Sequence, residues 1–224
     1  FCCAVPGCWH VMGVTQAAGL SLKWFRDNLA EFYKEEAEKQ GVDSYDLINQ
    51  DVENVPIGSR RLLYLPYLMG ERTPHLNPNC RGVFFGLSAI HTKADMLRAV
   101  MEGVSYSLSD CLDILREMQV DVSEMMACGG GGKSKIWRQM LADMYGCEVK
   151  TIKAQEGPAL GVAILAGVGA GIFNDVQSAC RQFIAQETYC QPEPASKAYY
   201  EKGHALYKKL YVQLKDCYEE LAQL

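Results

Sequence analysis

An α/β layered domain is the fold class this sequence predicts, on three observations. Short apolar runs alternate with longer stretches whose apolar residues recur at helical spacing, the pattern of strands exchanging with helices. Residues 125–145 read as strand, four successive glycines, then helix. Finally, 224 residues with 49% apolar and 22% charged side chains suit one large domain or two small ones with a buried core, outside disordered, collagenous or heavily charged classes.

The elements follow in order. Residues 2–4 and 9–14 read as paired strands turning at Pro6-Gly7, because Pro followed by Gly suits a turn between extended runs. Residues 17–34 carry a helical stripe. The polar stretch 35–61, with charge runs, Gly41, Pro56 and Gly58, reads as a surface insert of helical turns and loop. Residues 62–68 form a short strand, and the Pro-, Asn- and Gly-rich stretch 70–82 a long ordered loop. In 93–118 the stripe Met96, Leu97, Val100, Val104, Leu108, Leu112 and Leu115 predicts a helix of several turns. After the strand at 125–128 and the glycines, 136–145 is helical, 149–152 is a strand, 158–169 a glycine- and alanine-rich buried helix, and 195–224 a long amphipathic one.

Charge and composition exclude several functions. Net charge is −5 and the pI near 5.4, so no basic field is present to hold nucleic acid. The apolar stretch 159–173 is interrupted by glycines and shorter than the roughly 20 residues a membrane span requires. The first ten residues lack the cationic start and apolar run of a secretory signal. The chain starts at Phe1 rather than Met, which reads as a fragment or a processed chain. The ten cysteines contain no CxxC pair and read as reduced, buried thiols. Cys2, Cys3, Cys8 and His10 lack the second ligand pair of a zinc site, so no metal is assigned.

Chemistry concentrates at Gly129 to Gly132. Glycines between a strand and a helix let the backbone approach a ligand, and phosphates bind at such places. A variant phosphate loop, Ala127-x-x-x-x-Gly132-Lys133-Ser134, would use Lys133 on phosphates and Ser134 on magnesium. Alternatively, the glycines only permit tight packing.

Residues 82–87, GVFFGL, followed after seven residues by Asp95 to Glu102, resemble the second signature of the FGGY carbohydrate kinases with every position filled. YLPYLMGERTPHLNPNCRGVFFGL at 64–87, GGGGKSKIWRQMLADMYG at 129–146 and EGPALGVAILAG at 156–167 extend the resemblance nearly end to end and closely resemble members that phosphorylate D-xylulose. It implies an actin-like, RNase H-like domain with a mixed sheet flanked by helices, the C-terminal one of two domains with ATP in the cleft between them. Gly130, Gly131 and Ser134 would then lie under the adenosine, Gly19 near the phosphates and Lys23 near the base, with Mg2+ accompanying ATP. The catalytic aspartate and the residues for D-xylulose, or a similar ketose or polyol, would lie upstream of Phe1 in a sugar-binding domain. Ribulose, gluconate and glycerol kinases share this architecture. A cytoplasmic enzyme is implied, with a homodimer among its allowed assemblies.

Other polar residues carry lesser roles. Glu71, Arg72 and His75 read as ordering a loop near the domain boundary. Asp143 and Glu156 read as solvated or capping carboxylates, Trp24 as a core anchor, and His91 and His204 carry no assigned role.

Overall fold

The computed structural model describes residues 1–153 and 157–224, with the backbone alone at 186–188. Its organising element is a helix, Lys93–Glu117, which with earlier helices Ala18–Leu29, Phe32–Gln40 and Ser44–Glu53 is numbered α4 after α1, α2 and α3. Thr92 and Asp95 close a reciprocal capping box at the α4 start, satisfying backbone donors that a helix otherwise leaves orphaned. The predicted stripe is only part of its buried surface. Leu97, Ala99, Val100, Met101 and Val104 are all buried, because α1, α3 and two later elements pack around α4 rather than on one side of it.

The helix predicted over 17–34 breaks at Ala30, whose φ of −143° and ψ of 40° leave the helical region. The break lets Ala30 and Tyr33 enter the core, and the Tyr33 hydroxyl bonds Asp51 across to α3. Residues 35–61, read as a surface insert, carry α3, whose Ile48 and Val52 are fully buried in that same core. Polar composition conceals an inward apolar face at Tyr45, Ile48 and Val52. Asp43 caps this helix by accepting from the Tyr45 N–H at 2.9 Å.

Strand β1 (Leu63–Leu65) pairs antiparallel with β2 (Val83–Phe85), Leu63 opposite Phe85. It lies against α4 because Gly103 has no side chain: a Cβ there would sit 2.1 Å from the Tyr64 carbonyl oxygen. The second sheet holds the expected strand–helix–strand passage. Strand β3 (Glu124–Met126) runs through α5 (Gly129–Lys133) and α6 (Lys135–Tyr145) to β4 (Glu148–Ile152), which pairs parallel with β3 and antiparallel with β5 (Gln186–Cys190). The sheet is mixed and flanked by helices, as expected. α7 (Gly157–Gly169) and α8 (Val176–Phe183) follow β4, and α9 (Pro194–Leu221) closes the fold over α6 with buried Tyr200, Tyr207, Tyr211 and Tyr218.

Four expectations are corrected. The cysteines are not uniformly buried, since Cys2, Cys8, Cys128 and Cys217 are exposed. The paired strands at 2–4 and 9–14 reduce to a single bridge, Cys2 to Trp9, since no further strand among the described residues lies beside them. The expected buried helix α7 covers only Ile164 and Gly167, with Val162 66% exposed, because its described neighbours occupy one side. Trp24 is 38% exposed and not a core anchor; Trp137 is the buried indole, donating Nε1–H to Ser105 Oγ at 2.9 Å.

Candidate functional site

The four glycines form a short helical turn, α5, instead of an open loop, and they divide by role. Gly129 has φ +73°, the left-handed region where a side chain is strained. Gly130 is outside that region, and a Cβ there meets no atom within 4 Å. At Gly131 a Cβ would touch the Trp137 ring at an ordinary 3.5 Å, whereas at Gly132 it would lie 2.8 Å from the Ala127 carbonyl oxygen. Packing therefore explains Gly132 and leaves Gly130 unexplained. Arg138 secures the turn by donating to the Gly132 and Lys133 carbonyls.

Beside the turn lies a cavity of about 290 Å³ whose lining includes Gly19, Leu22, Asn49, Gly130, Gly131 and Ser134. Four of the five candidate residues thus meet, brought from α1 and from the glycine turn. Gly19 resembles Gly130 in that a Cβ on it would meet nothing within 4 Å. Lys23, the fifth, is exposed one turn further along α1 and contributes nothing to the lining. Sequence reading missed Asn49 together with Tyr45 and Asp46 of the same wall; the signal was the Tyr45, Ile48, Val52 spacing, which sets these polar residues on a core-packed helix.

Ser134 is buried and its hydroxyl is committed twice. It accepts from the Trp137 N–H at 3.2 Å, capping α6, and donates to Asn49 Oδ1 at 2.8 Å. The phosphate-loop alternative fits this less well: a Walker serine holds its hydroxyl on magnesium within the helix that follows the loop, while here Ser134 lies between two helices and donates its proton to Asn49. Lys133 borders the cavity but is exposed.

The signature residues on α4 build structure. Glu102, 1% exposed, accepts from Gly58 N–H, Ser59 Oγ, Arg98 Nε and Tyr200 OH at 2.9 to 3.1 Å. Arg98 also donates to the Val52 and Val55 carbonyls. The pair thereby fixes the segment following α3 against α4 and α9.

Glu71 likewise orders its surroundings, accepting from Thr15 Oγ1 at 2.7 Å, Gln16 N–H at 2.9 Å and Ser107 Oγ at 3.2 Å. His75 stacks on Tyr211, and burial holds its imidazole below the usual histidine value. Asp143 is buried rather than solvated. It accepts from Gln139 Nε2 and from the Glu193 N–H that opens α9, and burial raises its pKa. His204 pairs with Asp110 at 2.7 Å and His91 bonds Ser88. Glu156 lies outside the described residues.

Among the described residues, the one group with three metal-ligating side chains in reach of one another is Asp110, Asp113 and His204, none of which lines the glycine-turn cavity. No helix among the described residues is long and apolar enough to cross a membrane.

The pattern describing the C-terminal domain of the FGGY family of carbohydrate kinases matches residues 3–170. The chain is 38% identical to a xylulose kinase of Staphylococcus epidermidis over 218 residues, covering 97% of this chain and 42% of that protein. It is 35% identical to a gluconokinase of Bacillus subtilis over 192 residues, 85% of this chain and 37% of that one. Among solved structures, ligand-bound xylulose kinase from Lactobacillus acidophilus superposes with a TM-score of 0.79 at 30% identity, over 92% of this chain and 40% of that chain. The chain therefore spans about two-fifths of the length of these relatives.

Proposed function

We propose, on the premise that this chain belongs to the FGGY family of carbohydrate kinases as its C-terminal domain, that it is the nucleotide-binding half of a xylulose kinase. It holds ATP at the glycine turn while the γ-phosphoryl group passes to a hydroxyl of D-xylulose. The observation that carries the nucleotide reading is the meeting of Gly19, Gly130, Gly131 and Ser134 at one cavity, with the space over Gly19 and Gly130 open. Leu22 and Trp137 supply apolar surface there, which suits a base and ribose, and the bare backbone at Gly19 leaves room for phosphates to approach.

The chain's own residues bind and orient in this scheme. Trp137 is locked by Ser105, Ser134 by Asn49 and Trp137, and the turn by Arg138, so the wall is preorganised before nucleotide arrives. Mg2+ bound with ATP would supply neutralisation of the charge that develops on the transferred group. Phosphoryl transfer also needs a carboxylate to accept the attacking hydroxyl's proton; the reading assigns this base and the sugar pocket to the portion of the relatives that this chain does not span. A cytoplasmic enzyme, homodimeric assembly, and the lack of nucleic-acid or membrane partners belong to the same proposal.

D-xylulose rests on the likeness to xylulose kinases. Gluconate is the second reading, because gluconokinase relatives are nearly as similar. An ADP-coupled assay of the full-length enzyme decides between them: the highest kcat/KM is expected on D-xylulose, and a higher value on gluconate, ribulose or glycerol overturns the assignment.

A further inference from the structure

We propose that Asn49 orients the nucleotide's base by donating an amide N–H to a ring nitrogen of the purine, an inference that rests on the nucleotide reading of the glycine-turn cavity. The polar groups on the cavity wall differ in what they have left to offer. The Asp43 carboxylate accepts from the Tyr45 N–H, the Arg26 guanidinium lies over the Tyr45 ring at 4.6 Å without using its hydroxyl, and the Ser134 hydroxyl is used in both directions. Lys133 and Asp46 are exposed and so well hydrated.

Asn49 presents a donor whose orientation is set by its own partner. It is half-buried and lines the cavity, and its Oδ1 is held by the Ser134 hydroxyl at 2.8 Å. A primary amide has one acceptor end and one donor end. With the oxygen engaged, the NH2 is what Asn49 has left to offer, and among the described residues it has no hydrogen-bond partner. The helix beneath it is rigid, since Asp43 caps α3, Ile48 and Val52 are buried, and Asp51 takes the Tyr33 hydroxyl. A fixed donor at the edge of a cavity with apolar Leu22 and Trp137 matches a flat heterocycle with acceptor nitrogens on its rim, and purines carry such acceptors. The Asn49–Ser134 bond also joins this base-reading helix to the glycine turn, so a base seated on α3 fixes how the adenosine lies over Gly130.

The test compares Asn49→Asp with the wild type in the full-length enzyme. Aspartate keeps an oxygen for the Ser134 hydroxyl and turns the donor into an acceptor facing the base. Base orientation predicts about a tenfold or larger rise in the KM for ATP, the loss of one buried hydrogen bond, with a smaller change in kcat and none in the sugar KM. It also predicts that one of 1-deaza-, 3-deaza- or 7-deaza-ATP costs the wild type a similar factor, and that Asn49→Asp is indifferent to that same deletion. A purely structural Asn49 predicts an ATP KM within twofold of wild type for Asn49→Asp, with only Asn49→Ala impaired through a lower melting temperature; that result overturns the proposal. Gly130→Val separates the two levels. If it raises the ATP KM while Asn49→Asp does not, the Asn49 assignment alone fails; if it leaves the ATP KM unchanged, the nucleotide reading fails with it.

Discussion

Gly130 and Gly132, two residues apart on one helical turn, are expected to respond oppositely to the same substitution. Valine at Gly130 meets no protein atom within 4 Å of its Cβ, and the backbone φ is outside the left-handed region. Since glycine is among the worst helix formers, valine there raises stability by a few tenths of a kcal/mol. The cost falls on the ligand, because the branched side chain occupies space within a cavity of about 290 Å³. Intrusion of this kind typically costs about 1–3 kcal/mol, or roughly a 5- to 150-fold rise in the KM for ATP. Valine at Gly132 instead drives a Cβ to 2.8 Å from the Ala127 carbonyl oxygen and 2.9 Å from its carbon, backbone atoms that cannot step aside. It lowers stability by about 1–3 kcal/mol or more. The assay is an ADP-coupled kinase titration in ATP and in sugar on the full-length enzyme, paired with thermal melts. A Gly130→Val enzyme with normal melting and an unchanged ATP KM, or with equal rises in the ATP and sugar KM, would refute the reasoning.

Three further outcomes follow from the same contacts. Lys133→Ala is expected to leave most kinase activity, because the lysine is exposed and the Ser134 hydroxyl is already used; a loss of around a thousandfold would reinstate a phosphate-clamping lysine. Glu102→Ala strands the buried Arg98 guanidinium and is expected to cost about 3–5 kcal/mol in urea unfolding, whereas a change under about 1 kcal/mol, the worth of an exposed pair, would contradict the buried network. Burial raises the Asp143 pKa above its unfolded value, so the folded state takes up the proton first as pH falls. Wild-type stability relative to Asp143→Asn should accordingly rise as pH drops from 7 through the folded pKa towards the unfolded one; a relative decline would reverse the assigned sign.

Legibility in the sequence followed how far local pattern governs local structure. The stripe in α4 was readable because spacing alone decides a long amphipathic helix, and β3, α6 and β4 because strand–glycine–helix order is local. The break at Ala30 was not, since burial of Tyr33 in a core built by α3 and α4 overrides a continuous helical pattern. α3 was hidden by its polar composition, though its three inward apolar residues stood at helical spacing, and with it went Asn49. Whether a glycine serves packing or ligand depends on what lies opposite, Ala127 for Gly132 and open space for Gly130. Letters alone cannot carry that distinction. α7 shows the converse: apolar composition predicts burial, but burial needs a neighbour, and Val162 has none on its side among the described residues.

The central claim is that an adenine nucleotide lies against the glycine turn, and amide hydrogen exchange of the full-length enzyme with and without Mg-ATP tests it most directly. Slowed exchange is expected over Gly129–Lys133, at the start of Ala18–Leu29 and in Ser44–Glu53, with no change at the separate cavity lined by Arg116, His204 and Lys208. Protection centred on that second cavity, with none at the glycines, would contradict it.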